Sequence, residues 1–370
     1  MILLIPGPVT TRDEVRAAMA VDYAPWDDDF RAVSRRLRQR VREIAGGRAE
    51  SHTALPLQGC GHFGTEAALR SFIPEGGKIV IPMTGSYAER MGRLAMECGR
   101  VPVPLEVDQS RPVPPEQIAE AMHAAPDATH VGLVYSETSS GVINDAGAIG
   151  VALRAQGRHV LLDAVSAFGA LPLNLAEQPE IDAAIFSSNK CLEGLPGLVF
   201  IVVRDEGLLA PRQAGSWSFD LADVFAQAKR DDGDSFRFTP AAQAVVAFDL
   251  ALDFYEAEGG QGARLLRYQA NAREIWHGMQ HLGLRPCLDE AHQGPIVVNI
   301  HAPPDPAWSL PSFVIALKRR GFTISNFYNT AEPSFRVGCI GHVTPDDMRR
   351  FVQAVDEALL ELGVVVRQGN

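Results

Sequence analysis

Lys190 stands in Ser187-Ser188-Asn189-Lys190-Cys191, directly after a short apolar run, Asp182–Ser187. A lysine at a buried strand end is costly unless it is neutralised or bonded. Condensation with an aldehyde, as a Schiff base, removes that cost and creates an electrophile. Read alone, the plainer interpretation is a surface lysine closing a strand. Asp163 ends the preceding apolar run, His159–Asp163. A carboxylate there suits the protonated ring nitrogen of a heterocyclic cofactor and makes that ring an electron sink. The alternative is a helix N-cap, since Ser166 and an apolar stretch follow. The two residues lie 27 positions apart on strands adjacent in sequence, and together they are far more specific than either one.

Three further features carry chemistry. Gly59-Cys60-Gly61-His62-Phe63-Gly64 precedes a helix start at Thr65. Glycines admit close backbone approach, and free amides at a helix N-terminus bind phosphate. The same pattern equally describes a plain loop-to-helix turn. Tyr87, after Thr84-Gly85-Ser86, suits a ring stacked on a planar cofactor or one packed in the core. Arg336, inside Ser334–Val337, offers a two-point fork for a carboxylate or phosphonate, or an ion pair with an exposed acid.

These residues need a scaffold, and apolar patterning supplies one. Strands are expected at Lys78–Pro82, His130–Tyr135, His159–Asp163, Asp182–Ser187 and Leu198–Val203. Helices are expected between them at Thr65–Phe72, Tyr87–Glu97, Pro115–Ala124 and Ala146–Ala155. Such alternation predicts a mostly parallel sheet covered on both faces, which binds ligands at the carboxyl ends of its strands. The residues there are Thr84–Tyr87, Ser136–Thr138, Asp163 and Asn189–Lys190, a set suited to a planar, phosphorylated, carbonyl-bearing cofactor. The last third changes character: long helices at Thr239–Glu258 and Arg264–Leu282, then Ile296–Ile300, Leu310–Arg320, two short β-like runs and a terminal helix Pro345–Leu362. The expected division is a large α/β domain over residues 1–254 and a small α+β domain over 255–370, with segment 1–20 packing on the latter.

Bulk properties narrow the function. The 370 residues are 46% hydrophobic with a net charge of −11, which argues against generic nucleic-acid binding. The basic run Arg31–Arg42 reads as a helix with Val33, Leu37, Val41 and Ile44 as its apolar stripe and its arginines on a solvated face. Five scattered cysteines without a C-x-x-C pair fit a reduced, cytoplasmic setting. Met1–Pro8 lacks a basic n-region, and no stretch reaches the length of a membrane span. Trp26–Asp29 and Asp231–Asp234 lack calcium-loop spacing, so no metal is assigned.

The chain resembles the fold-type I, class V aminotransferases, which use pyridoxal 5′-phosphate. The resemblance runs from Leu3–Thr11 to Phe335–Gly338, through Trp26–Asp29, Tyr135–Gly141, Asp163–Gly169, Ser188–Cys191 and Arg237–Thr239. It implies a seven-stranded, mostly parallel sheet and a homodimer with its site at the subunit interface. It implies that Lys190 holds the cofactor and shuttles protons, that Asp163 pairs with the ring nitrogen, and that Tyr87 and Val165 contact the ring. Cys60, Gly61, His62 and Asn189 would hold the phosphate, Thr239 would reach it from the second subunit, and Thr138 would lie near the ring hydroxyl. Arg336, with Thr10 and Trp26, would bind substrate. Within the family, the match points to enzymes that take 2-aminoethylphosphonate as donor and pyruvate as acceptor. The alternatives are an alanine or serine donor with glyoxylate or pyruvate, another phosphonate, or a cofactor-sharing lyase. The sequence departs from the phosphonate enzymes at Gly-Cys-Gly-His, Tyr135, Gly215–Phe219 and the stretch 325–330.

Overall fold

The computed structural model of the chain describes residues 1–209, 214–328, 330 and 332–366. Its strands are β1 (Ile2–Leu3), β2 (His52–Gly59), β3 (Lys78–Pro82), β4 (Val101–Leu105), β5 (Ala128–Val134), β6 (His159–Asp163), β7 (Ile181–Ser187), β8 (Gly197–Arg204), β9 (Val297–His301), β10 (Phe322–Thr323) and β11 (Ser334–Gly338). Its helices are α1 (Asp13–Ala17), α2 (Asp28–Ile44), α3 (Gly61–Phe72), α4 (Ser86–Glu97), α5 (Pro115–Ala124), α6 (Ala146–Arg154), α7 (Asp205–Leu209), α8 (Leu221–Arg230), α9 (Ala242–Glu258), α10 (Gly260–His281), α11 (Leu310–Arg319) and α12 (Pro345–Leu362).

Side-chain alternation on the strands builds two cores around one seven-stranded sheet, ordered β2-β8-β7-β6-β5-β3-β4. Val160 and Leu162 of β6 face α2, α5, α6 and α9, whereas Leu161 faces α3, α4 and α8. Neighbours from β4 through β7 pair in parallel, and β8 runs against both β7 and β2. The strands β2 and β4 escaped the patterning argument because prolines interrupt them: Pro56 in one, Pro102 and Pro104 in the other. Both lie at sheet edges, where a missing N–H is tolerated.

The solvated reading of the basic helix needs correction. Arg38 and Arg40 of α2 are buried. Three acids on α9 explain this for Arg40, which pairs with Asp249 and Asp253 at 2.9 Å and with Glu256 at 2.8 Å. Arg36 also pairs with Asp249. Arg36 and Arg40 therefore tie α2 to α9, Arg38 turns inward to the Ser235 carbonyl, and Arg35 and Arg36 stay about half exposed, as a solvated face requires.

Beyond α9 the chain turns at Gly259, whose φ of 111° is left-handed, and starts a separate core. There α10, α11 and α12 cover the antiparallel pair β9–β11. The chain start joins this unit: β1 pairs in parallel with β10, and Leu4 is buried in the same core. That placement carries Pro6 and Gly7 back over the carboxyl ends of the large sheet.

Candidate active site

The 27-position gap between Asp163 and Lys190 vanishes as a spatial separation because β6 and β7 are hydrogen-bonded neighbours, with Asp163 opposite Ile185. Both side chains line one cleft of about 330 Å³. Lys190 Nζ donates to the Pro6 carbonyl at 2.9 Å. Burial pulls its ammonium down to about 8, with Arg336 pushing the same way. Asp163 Oδ1 accepts from the Val165 amide at 3.0 Å. Its carboxyl is pushed up to about 6, chiefly by burial and partly by the nearby Glu137. The N-cap reading of Asp163 fails, since turns rather than a helix follow it.

Across the cleft, α3 starts at Gly61, one turn earlier than the pattern predicted, with Cys60 as its N-cap in extended geometry. The first-turn amides of Gly61 and His62 therefore lack intrahelical acceptors, and both residues line the cleft. A side chain at Gly61 would meet Val165 Cγ2 at 2.4 Å, so only glycine lets α3 approach the turn after β6 so closely. Asn189, 9% exposed, lines the same wall.

Tyr87 lies in the first turn of α4 with its ring on the cleft. The buried Glu137 carboxylate caps that helix, accepting from the Tyr87 and Ala88 amides at 3.4 Å and from Ser139 N at 3.1 Å. Burial raises the Glu137 carboxyl against these stabilising bonds. Arg90 was not expected. It follows Tyr87 by three residues, lines the cleft, and sets its guanidinium 4.9 Å from the Tyr87 ring centre. The helical spacing from Tyr87 is the signal that identifies it. The strand-end rule places Glu137 beside the site, within Ser136–Thr138, but no sequence pattern announces its role as cap of α4 or the Pro6 carbonyl over Lys190.

Arg336 is 6% exposed on β11. It donates through Nε to Ser325 Oγ at 3.2 Å and through Nη1 to the Thr138 carbonyl at 3.4 Å, and its guanidinium lies 4.9 Å from the Phe327 ring centre. Thr138 is thus buried beside Arg336. Thr10 sits apart from the cleft, its hydroxyl accepting from Leu3 N at 2.8 Å. Trp26 is 70% exposed, and Thr239 is also exposed, so a single chain brings neither to the cleft. Among the departures, Tyr135 points its hydroxyl to the Pro172 carbonyl at 2.5 Å, and Asn329 lies outside the described residues.

These groups fit pyridoxal phosphate. A part-buried amine with a lowered affinity for protons suits an aldehyde. A part-buried carboxylate suits a ring N–H. Free amides at a helix start suit a phosphate. Among the described residues, no cluster of three metal-binding side chains occurs, and no helix is long and apolar enough to cross a membrane.

Comparison with known proteins agrees. The family model for class-V aminotransferases matches residues 27–304. A 2-aminoethylphosphonate–pyruvate transaminase of Burkholderia lata is 39% identical, over 98% of this chain and 96% of that one. One from Pseudomonas fluorescens is 39% identical over 98% of each. Among solved structures, ureidoglycine–glyoxylate aminotransferase from Bacillus subtilis superposes with a TM-score of 0.88 at 24% identity, covering 99% of this chain and 95% of that one. Pyridoxamine–pyruvate aminotransferase from Mesorhizobium loti gives 0.87 at 24% identity, covering 100% and 94%. With that likeness spanning nearly its whole length, on the fold-type I scaffold and around a cleft that fits the cofactor, the chain belongs to the class-V aminotransferase family of pyridoxal-phosphate enzymes.

Proposed function

We propose that this enzyme moves the amino group of 2-aminoethylphosphonate to pyruvate, giving phosphonoacetaldehyde and L-alanine. The observation that carries the reading is a buried arginine, Arg336, which donates to the Thr138 carbonyl and lies close enough to Lys190 to lower its affinity for protons. The 39% identity to two transaminases named for this reaction supports it. Cys339 is fully buried with its thiol held protonated, which disfavours a lyase that uses a mobile cysteine there.

Pyridoxal phosphate, when bound, supplies an aldehyde to which amines add reversibly and a ring that accepts the electron pair left by proton removal. The protein's residues do the rest. Lys190 would hold the group through Nζ; once freed by the donor amine, Nζ would carry the proton from the amine-bearing carbon to the former aldehyde carbon, and in the second half-reaction it would move a proton the opposite way. Its lowered affinity for protons keeps a useful fraction neutral near pH 7. Asp163 holds the ring N–H, and ionisation beside that cation offsets the burial that raises its carboxyl.

The Gly61 and His62 amides, with Cys60 and Asn189, grip the phosphate, and Arg90 adds positive charge there. Tyr87 and Val165, which line the cleft, would contact the ring, and Thr138 would lie near its hydroxyl. Arg336 binds the phosphonate of the donor and then the carboxylate of pyruvate. A second copy of the chain contributes Thr239 to the phosphate and Trp26 to the substrate approach, while Thr10 shapes the segment that roofs Lys190. The exposed Trp26, Trp217 and Phe238 favour such a homodimer, since isolated chains rarely leave this many large rings in water. A cytoplasmic location suits the unpaired cysteines.

The test follows the bound cofactor's visible absorbance in half-reactions. Addition of 2-aminoethylphosphonate should discharge it, and pyruvate should restore it. Discharge by alanine, serine or phosphonoalanine, but not by 2-aminoethylphosphonate, would assign another donor.

A further inference from the structure

The small β9–β11 sheet has two faces. Val298 and Ile300 on β9, with Phe335 and Val337 on β11, enter the core under α10, α11 and α12. Alternation sends Asn299 and Arg336 to the opposite face, toward the large sheet. The antiparallel register sets Asn299 directly across from Arg336, and side chains so paired lie within reach of a common ligand.

Asn299 is 1% exposed, and its Nδ2 has no hydrogen-bond partner. A buried amide donor left this way is costly, and native structures rarely keep one without a reason. Asn299 also lines an open cleft of about 810 Å³ that reaches Ser86 and Ser139, the residues that flank Tyr87 and Thr138. Arg336 has already committed Nε to Ser325 and Nη1 to Thr138. A guanidinium edge matches the two coplanar oxygens of a carboxylate. A phosphonate presents a third oxygen outside that plane, which needs a donor of its own.

We infer that Asn299 is that donor: a second arm of the acid-group subsite that reads the third phosphonate oxygen and sets the preference for phosphonate over carboxylate. The inference rests on the reading of Arg336 as the acid-binding residue.

The experiment titrates the cofactor-loaded enzyme calorimetrically with two unreactive ligands, ethylphosphonate and propanoate. Asn299→Ala should weaken ethylphosphonate about ten-fold and propanoate by no more than about two-fold. In turnover, KM for 2-aminoethylphosphonate should rise while kcat is largely kept. Asn299→Asp keeps the side chain's shape but replaces the donor with an anionic acceptor, so it should lose ethylphosphonate more completely than the alanine variant. Unchanged ethylphosphonate affinity in both variants, or equal weakening of both ligands by Asn299→Ala, overturns the assignment. Failure of the unaltered enzyme to bind ethylphosphonate would instead overturn the phosphonate reading of the whole site, and this inference with it.

Discussion

The ε-amine of Lys190 donates to the carbonyl of Pro6, 184 residues away in sequence, at 2.9 Å. The chain start, held to the second core by β1, thereby roofs the residue on which the chemistry depends. Gly7 makes the approach possible. A Cβ there would meet Lys190 Cδ at 2.5 Å and Nζ at 2.6 Å, and its φ of 141° already disfavours side chains. Gly7→Ala should displace the amine and lower kcat/KM by about 10²-fold, the scale of an ångström-level misplacement. Steady-state kinetics check this, and melting temperature separates a local effect from a global one. A fully active Gly7→Ala enzyme would mean that the roof is not needed.

Asp163 makes the cofactor-free protein sensitive to pH. Burial lifts its carboxyl from 3.8 to about 6. Because the folded-state value is the higher one, its favourable contribution is complete below about 3.8 and is lost as pH rises through about 6. Asp163→Asn removes the charge. The melting temperature of cofactor-free Asp163→Asn should therefore gain on that of the unaltered protein between pH 4 and 6, by on the order of a few °C, and hold the gap above. A gap independent of pH would remove the carboxylate from this account. The same variant, when loaded, should have strongly reduced turnover.

Lys190 predicts the pH dependence of cofactor loading. Its ammonium is pulled down to about 8 by burial, and only the neutral amine attacks an aldehyde. The rate at which cofactor-free protein takes up pyridoxal phosphate should rise with pH around a midpoint near 8 and level off above it. Stopped-flow absorbance gives the profile; a midpoint near 10.5 would indicate a solvated lysine.

Legibility in the sequence followed what a one-dimensional pattern can encode. The runs ending at Asp163 and preceding Lys190 were visible because buried parallel strands are continuously apolar and stop where the polar site begins. The strands β2 and β4 were hidden because prolines, compatible with an edge, read as breaks. Composition starts α3 one turn late because its glycines lack the character of a helix, although free amides in that turn are what the cleft requires. Arg90 stands at helical spacing from Tyr87, a signal that points to the cleft only once Tyr87 is placed there. Pro6 and Asn299 were inaccessible in principle: their relevance arises from a β1–β10 pairing and a β9–β11 register, which join segments far apart in the chain.

The backbone just after Lys190 is tied down by a cluster of buried charges. Glu193, in left-handed geometry at φ 56°, is held from α10. Arg267 Nη2 reaches its carboxylate at 2.7 Å, the Tyr268 hydroxyl donates to it at 3.0 Å, and Arg264 Nη1 lies 3.4 Å away. Arg264 and Arg267 also share Glu258, at 2.8 Å each. Two cations thus balance two carboxylates, with Arg264 1% exposed. Arg264→Met leaves one buried carboxylate uncompensated and should cost about 3–5 kcal/mol, seen as a lower urea midpoint. Arg264→Met combined with Glu258→Met removes one charge of each sign and leaves the Arg267–Glu193 pair intact. The double variant should therefore be more stable than the single one, because unpaired buried charge, rather than lost volume, dominates the cost. A double variant weaker than Arg264→Met would show that packing around these side chains outweighs their charge balance.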